Sequence, residues 1–226
     1  MSGKATDPVP RSSAVATGRG DDGTTGLLFG GDRIPKDDLR TEAYGTLDEA
    51  VAALGMARAE LELKRQLDAL PPALDEIATH ILRLQRELFV AGAELAANPA
   101  AWDRLRDGAT RVSAAMVARV DAVLADYETR ISFPTEFVVP GETRTSAALE
   151  LARTILRRAE RRAVTLERSD LVPGAHLLPY LNRLADLLWV LARAAEQAEA
   201  RPATAARSAT AARPERTPTA GEDRVG

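Results

Sequence analysis

Two stretches of the chain hold residue types at spacings that could do chemistry. The first is Gly20-Asp21-Asp22-Gly23-Thr24-Thr25-Gly26, followed by Lys36-Asp37-Asp38 and by Glu42-Ala43-Tyr44-Gly45-Thr46-Leu47-Asp48-Glu49. Glycines let backbone N–H groups turn toward an anion, threonine hydroxyls add donors, and Lys36 can neutralise phosphate charge. No Gly-Lys-Ser/Thr closes this loop, so it is not a Walker A element. Its residues fit either a phosphate-binding loop or a plain flexible segment. In the second stretch Arg153, Arg157 and Arg161 recur every four residues, with Arg158 and Arg162 as a second row. Like charges at that spacing cost an isolated helix about 0.2–0.5 kcal/mol per pair. The row is either a solvated face, with Glu150 and Glu160 as neighbours, or a row that meets buried carboxylates and a polyphosphate. The flat guanidinium fork suits both partners. Asn182 and Asp186, one turn apart, interrupt a leucine-rich seam. That pattern fits an interhelical hydrogen bond or a nucleotide contact. Together these residues suggest a polyphosphate held between an N-terminal loop and a C-terminal helix face.

Other chemistries find no support. The chain has no cysteine, so it offers no disulfide, thiolate metal site or thiol nucleophile. His80 and His176 are its two histidines and neither has a companion at ligand spacing. The paired Glu-x-x-His motifs of a di-iron bundle are missing, and no metal is assigned to protein side chains. Lys and Arg number 30 against 33 Asp and Glu, a net charge of -3, which does not point to nucleic acid. No apolar run approaches the ~18 residues of a membrane span. The N-terminus lacks the pattern of a signal peptide. The expectation is a soluble, cytoplasmic protein with no membrane and no nucleic-acid partner.

Five helical patterns must position these residues. Their apolar stripes are Leu39, Ala43, Leu47, Ala50, Leu54, Ala57 and Leu61; Leu74, Ile77, Ile81, Leu84, Leu88, Ala91 and Leu95; Val112, Met116, Val120, Val123 and Tyr127; Leu149, Ala152, Leu156, Ala159, Ala163 and Leu166; and Leu177, Leu181, Leu184, Leu188, Leu191 and Ala195. Steps of three and four place each set on one face, and each face needs a partner. With aromatics at 4%, the core must be aliphatic. An all-α bundle follows. Phe133-Pro134 through Pro140-Gly141 breaks the period between the third and fourth helices. Residues 1–16 read as a flexible N-terminus, 17–197 as the helical domain with its loop, and 198–226, with Pro202, Pro214 and Pro218, as a disordered tail.

These motifs, in this order, resemble the ATP:cob(I)alamin adenosyltransferases of the PduO type. That family carries T-[RK]-T-G-D-[DK]-G-T-T, a Lys-Asp-Asp, E-A-Y-G-x-x-D-E, F-[IV]-L-P-G-G, A-R-T-x-x-R-R-A-E-R and L-N-R-L-S-D-x-L-F. The match runs from about Thr17 to Ala195. The resemblance implies a ferritin-like up-down five-helix bundle, usually a homotrimer with sites between neighbouring subunits. It implies transfer of the 5′-deoxyadenosyl group of ATP, with Mg2+, to a reduced cobalamin. Cobalt is the nucleophile at the ribose C5′, and triphosphate leaves. An electron donor, or a cobalamin-dependent mutase taking the product, would be further partners.

The implied roles carry over residue by residue. Thr17, Gly20, Thr25 and Gly26 wrap the nucleotide, and Lys36 contacts its phosphates. Arg157 and Arg161 hold the triphosphate, Arg158 and Glu160 belong to the same ATP-binding set, and Asn182 contacts the nucleotide from the fifth helix. Arg153 pairs with Asp48 across the subunit interface. Phe137 lies against the lower face of the corrin and excludes the axial ligand, leaving four-coordinate Co(II) that is easier to reduce. Asp48, Arg153, Phe137 and Arg157 are thus the implied catalytic set.

Three features depart from the family pattern. Gly18 and Arg19 stand where it has a basic residue and a threonine, an extra residue falls at Leu27-Leu28, and Glu142 replaces the second glycine of Pro-Gly-Gly. Those departures motivate an alternative, a non-catalytic carrier of ATP or corrinoid on the same fold. A purely structural bundle is the third reading.

Overall fold

The computed structural model describes residues 15–206. Most of the expected flexible N-terminus (1–14) and of the expected disordered tail (207–226) lies outside them. Five helices make the body: α1 Leu39–Gln66, α2 Pro72–Leu95, α3 Ala114–Arg130, α4 Arg144–Glu167 and α5 Leu177–Ala198. Their ends follow local chemistry. Asp38 caps α1 by accepting from the Arg40 N–H at 2.8 Å. Pro72 opens α2 at a position where its missing N–H costs nothing. Thr143 and Ser146 cap α4 reciprocally.

Side-chain pairs give the directions. Glu42–Arg162, Glu49–Arg158 and Glu60–Arg144 run in opposite order along α1 and α4, so these two helices are antiparallel. The same reasoning makes α2 and α3 antiparallel through Glu87–Arg119 and Glu76–Arg130. It makes α4 and α5 antiparallel through Glu160–Asn182 and Glu150–Arg193. Arg65–Asp75 and the bond from Gln85 Nε2 to Val51 O make α1 and α2 antiparallel as well, so the bundle is up-down-up-down-up, as the resemblance implies. Its core is aliphatic, and nearly every stripe residue is buried. The exceptions are Val123, half-buried on α3, and Leu39, 48% exposed because it lies in the first turn of α1, beyond the packed stretch.

Two segments read as irregular carry strand pairing. The glycine-rich loop is a small hairpin: β1 Thr24–Thr25 pairs antiparallel with β2 Ile34–Pro35. Its arm is fixed to the end of α2, where the Leu28 N–H donates to Ala96 O at 2.8 Å and the Asn98 N–H to Leu28 O at 3.0 Å. Leu28, where the sequence departs from the family pattern, is the residue that makes this contact. At the other end of the bundle, β3 Val138–Val139 pairs antiparallel with β4 Thr204–Ala205. The segment after α5 thus holds structure as far as Ala206, where the sequence predicts a tail from residue 198. The gain is backbone hydrogen bonding to an otherwise unpaired loop, which composition does not reveal.

Candidate active site

The hairpin positions the first group of expected residues. Asp22 Oδ1 accepts from the Thr24 N–H at 2.9 Å and from its hydroxyl at 2.8 Å, which holds the Asp22 carboxyl below its ordinary pKa. Arg33 closes the turn by donating to Arg19 O, Thr24 O and Thr24 Oγ1. Gly18 has φ +68, a conformation that favours glycine, so the departure from a basic residue suits this turn. Lys36 crosses directly over Gly20: a Cβ there would stand 2.9 Å from Lys36 Nζ. Any larger residue would move the ammonium. Thr17, Gly26 and Lys36 are exposed, with Thr25 half-buried in the strand.

Asp48 is exposed on α1. It lies at the rim of an apolar groove lined by Leu28, Tyr44, Val51 and Phe89, in which Phe89 is 64% exposed.

The arginines of α4 divide in two. Arg158 pairs with Glu49 and Arg162 with Glu42 at 3.4 Å, so the second row ties α4 to α1. Arg158, expected at the nucleotide, is engaged in this helix–helix contact. Arg157 and Arg161 are exposed and have no carboxylate partner among the described residues. Arg161 Nη1 donates to Arg157 O at 3.1 Å. Beside them, Asn182 Nδ2 donates to Glu160 Oε1 at 3.2 Å, linking α5 to α4. Arg157, Glu160, Arg161 and Asn182 thus gather on one face with a net positive charge, and neither arginine is in an ion pair among the described residues.

Phe137 is 86% exposed on the loop between α3 and α4. Its carbonyl accepts from the Ala206 N–H at 2.7 Å, so β4 holds the loop beside it. Phe137 lines a cavity of about 510 Å³ with Pro134, Glu136, Glu150, Arg153 and Trp189. Two expected residues, Phe137 and Arg153, therefore share one cavity. Trp189 stacks on Phe133 at 5.7 Å between ring centroids.

Below the cavity is a buried charge network that the sequence reading did not find. Arg153 Nε donates to Glu150 Oε2 at 2.6 Å. Glu150 Oε1 lies 3.4 Å from Arg193 Nη2, which donates to Glu196 Oε1 at 2.8 Å. Glu150, Arg193 and Glu196 are all under 4% exposed. Burial pushes the Glu196 carboxyl above its usual range, and Arg193 opposes that. The Arg153–Glu150 pair is thus local. Asp48 does not meet Arg153 within one chain, because it faces the groove between α1 and α2.

The hairpin and the Phe137 loop lie at opposite ends of the bundle, since the first contacts the end of α2 and the second precedes α4. The arginine line runs between them. From Arg153, Arg157 is one turn and Arg161 two turns toward the hairpin end, about 6 and 12 Å along the axis. Among the described residues no group of three His, Cys, Asp or Glu could hold a metal ion. No described helix is long and apolar enough to cross a membrane.

The chain is similar to known proteins in sequence and fold. The corrinoid adenosyltransferase of Citrobacter freundii is 37% identical over 185 residues, covering 80% of this chain and 94% of that protein. That of Mycobacterium tuberculosis is 38% identical over 189 residues, covering 80% and 88%. Among solved structures, a variant PduO-type ATP:corrinoid adenosyltransferase from Lactobacillus reuteri, complexed with cobalamin and ATP, superposes with a TM-score of 0.73 at 27% identity. It covers 85% of this chain and 96% of that one. A second variant of the same enzyme, complexed with ATP, gives a TM-score of 0.71 at 26% identity, covering 84% and 99%. The cobalamin adenosyltransferase family matches residues 15–195, the hairpin, the five helices and the Phe137 loop alike, and the chain belongs to that family.

Proposed function

We propose that this chain, a corrinoid adenosyltransferase, works through a site shared between two copies, with the hairpin of one facing the α4 arginine line of the other. The observation that carries this reading is the α4 line itself. Arg153 borders the Phe137 cavity, while Arg157 and Arg161 lie exposed and in no ion pair among the described residues. Such a line fits a substrate that is apolar and planar at one end and polyanionic at the other.

In the reaction, the reduced corrinoid cobalt attacks the ribose C5′ of ATP. The Co–C bond forms as the C5′–O bond breaks, and the electron pair leaves with triphosphate. The chain's own part is positional and electrostatic. Arg157 and Arg161 offer fixed donors to a leaving group whose charge grows in the transition state. Lys36, over Gly20, faces the phosphates from the hairpin. Phe137 offers cobalt no lone pair, so it covers the lower corrin face without ligating it. Asn182, held on Glu160, borders the nucleotide. Mg2+ arrives on the nucleotide rather than in a cage of protein carboxylates. Asp48 pairs with the free end of the partner's Arg153. That pairing needs a second copy, because the two residues do not meet in one chain, and a homotrimer closes such contacts in a ring.

The test incubates the protein with MgATP and chemically reduced cobalamin, and measures adenosylcobalamin together with triphosphate. Both products should appear in equal amounts. Binding of both substrates without product under strongly reducing conditions would leave the carrier reading standing instead.

A further inference from the structure

The least expected group in the molecule is Arg193. It is the largest fully buried side chain, 1% exposed, on a stretch of α5 where Leu191 to Glu196 are all buried. Its Nε and Nη1 have no hydrogen-bond partner among the described residues. Only Nη2 is engaged, between Glu196 and Glu150. A guanidinium so placed is a poor way to stabilise a fold, since well-packed apolar residues of similar volume serve as well or better. What the geometry does achieve lies one residue further on. Glu150 uses Oε1 toward Arg193 and Oε2 toward Arg153 Nε. With Nε occupied, Arg153 has both terminal nitrogens without a hydrogen-bond partner among the described residues, beside the cavity that Phe137 and Trp189 also line.

We propose that Arg193 is a positioning residue for adenosyl transfer: its buried guanidinium holds the Glu150 carboxylate, and Glu150 holds Arg153 beside the Phe137 cavity. The proposal rests on the reading of Arg153 given above. Arg193 is not itself a lining residue; its guanidinium lies over the Trp189 ring, 5.7 Å from the centroid, and its polar contacts run to Glu150 and Glu196. Its effect passes through Glu150. If Arg193 is absent, Glu150 can turn and take Arg153 by its terminal nitrogens, which removes them from the site. Glu196 completes the arrangement by balancing the second positive charge. The four side chains sum to zero charge, so the pairs can be removed in balanced steps.

The test uses the full chain and the adenosylation assay. The double variant R193M/E196L removes one buried charge of each sign and leaves Glu150–Arg153 in place. It should retain the wild-type melting temperature to within a few degrees and the KM for ATP to within about two-fold. Its kcat should fall by about ten-fold or more. In an R153A background the same double substitution should add no further loss, because the two act through one group. R193K, which keeps the charge but loses the planar fork, should recover part of the lost kcat. Wild-type kcat in R193M/E196L, or losses that add independently to those of R153A, would overturn the proposal. Should R193M/E196L fail to fold, R193K decides: kcat at least three-fold below wild type with unchanged KM for ATP supports it, and wild-type kcat refutes it. A wild-type chain that makes no adenosylcobalamin would instead refute the functional reading itself.

Discussion

Glu94 near the end of α2 gives a pH dependence of stability whose size can be worked out. It is 1% exposed, accepts from the Val112 N–H at 2.7 Å, and packs against Gly174, where a Cβ would come within 2.4 Å of Oε1. Burial raises its pKa from 4.5 to about 7, against the opposing Val112 hydrogen bond and the charge of Arg111. The folded state therefore binds a proton that the unfolded chain has released between these two values. The stabilising contribution is fully present below the unfolded pKa and is lost as pH rises through the folded one. At 1.36 kcal/mol per unit, the full swing between pH 4.5 and pH 8 is about 3 kcal/mol, an order-of-magnitude figure. At about 2–4 °C per kcal/mol for a domain of this size, that is roughly 6–12 °C in melting temperature. Other groups titrate in the same window. Glu196 is raised and acts in the same sense, whereas His80 is lowered by burial and acts in the opposite one. The difference between wild type and Glu94→Gln isolates Glu94 from them. The variant's carbonyl can still accept from Val112, but it carries no charge. Melting temperatures of both proteins, measured from pH 5 to pH 8 at constant ionic strength, should diverge, with Glu94→Gln relatively more stable as pH rises. Parallel curves across that range would refute the assignment of a buried, titrating carboxyl.

Three further outcomes are expected. Arg157→Ala should lower kcat by about 10²–10³, the scale of losing one preorganised donor at a developing charge, with an unchanged far-UV spectrum. Steady-state kinetics would check this. Phe137→Ala should change stability by no more than about 0.5 kcal/mol, since the ring is 86% exposed, yet lower product formation from cob(II)alamin and a reductant more than from preformed cob(I)alamin. Ala206→Pro removes the N–H that donates to Phe137 O. It should lower kcat several-fold with the melting temperature unchanged to within a few degrees, measured by turnover and calorimetry in parallel.

The helices were legible because each repeats an apolar residue at three- and four-residue steps over several turns, and only Leu39 of those stripes lies exposed. The hairpin was not, because its strands are two residues each and its glycines read as freedom rather than as turn positions. β4 was hidden for a related reason. Thr204 and Ala205 carry no apolar alternation, and their order comes from pairing with Val138 and Val139, distant in sequence. Within the site, the arginine line was legible from spacing alone, but its division was not. Glu49 and Glu42 lie more than a hundred residues away and claim Arg158 and Arg162. Arg193 left a signal that went unread. The α5 sequence is apolar on every side around it, so a charge there had nowhere to reach water, and Glu196 three residues on was its natural partner.

The placement of the hairpin and the Phe137 loop at opposite poles of the bundle has a genetic consequence. Helix α4 has 24 residues, about 36 Å, and separates the two poles of one chain. Under the proposed division of the site between copies, a defect in the hairpin of one chain and a defect in the arginine line of another need not fall in the same interface. Two inactive alleles, one altered at Lys36 and one at Arg157, would assemble some interfaces in which both altered halves fall together and others in which neither does. Cells carrying both would regain a fraction of activity that neither allele gives alone. Two alleles altered in the same half would regain none.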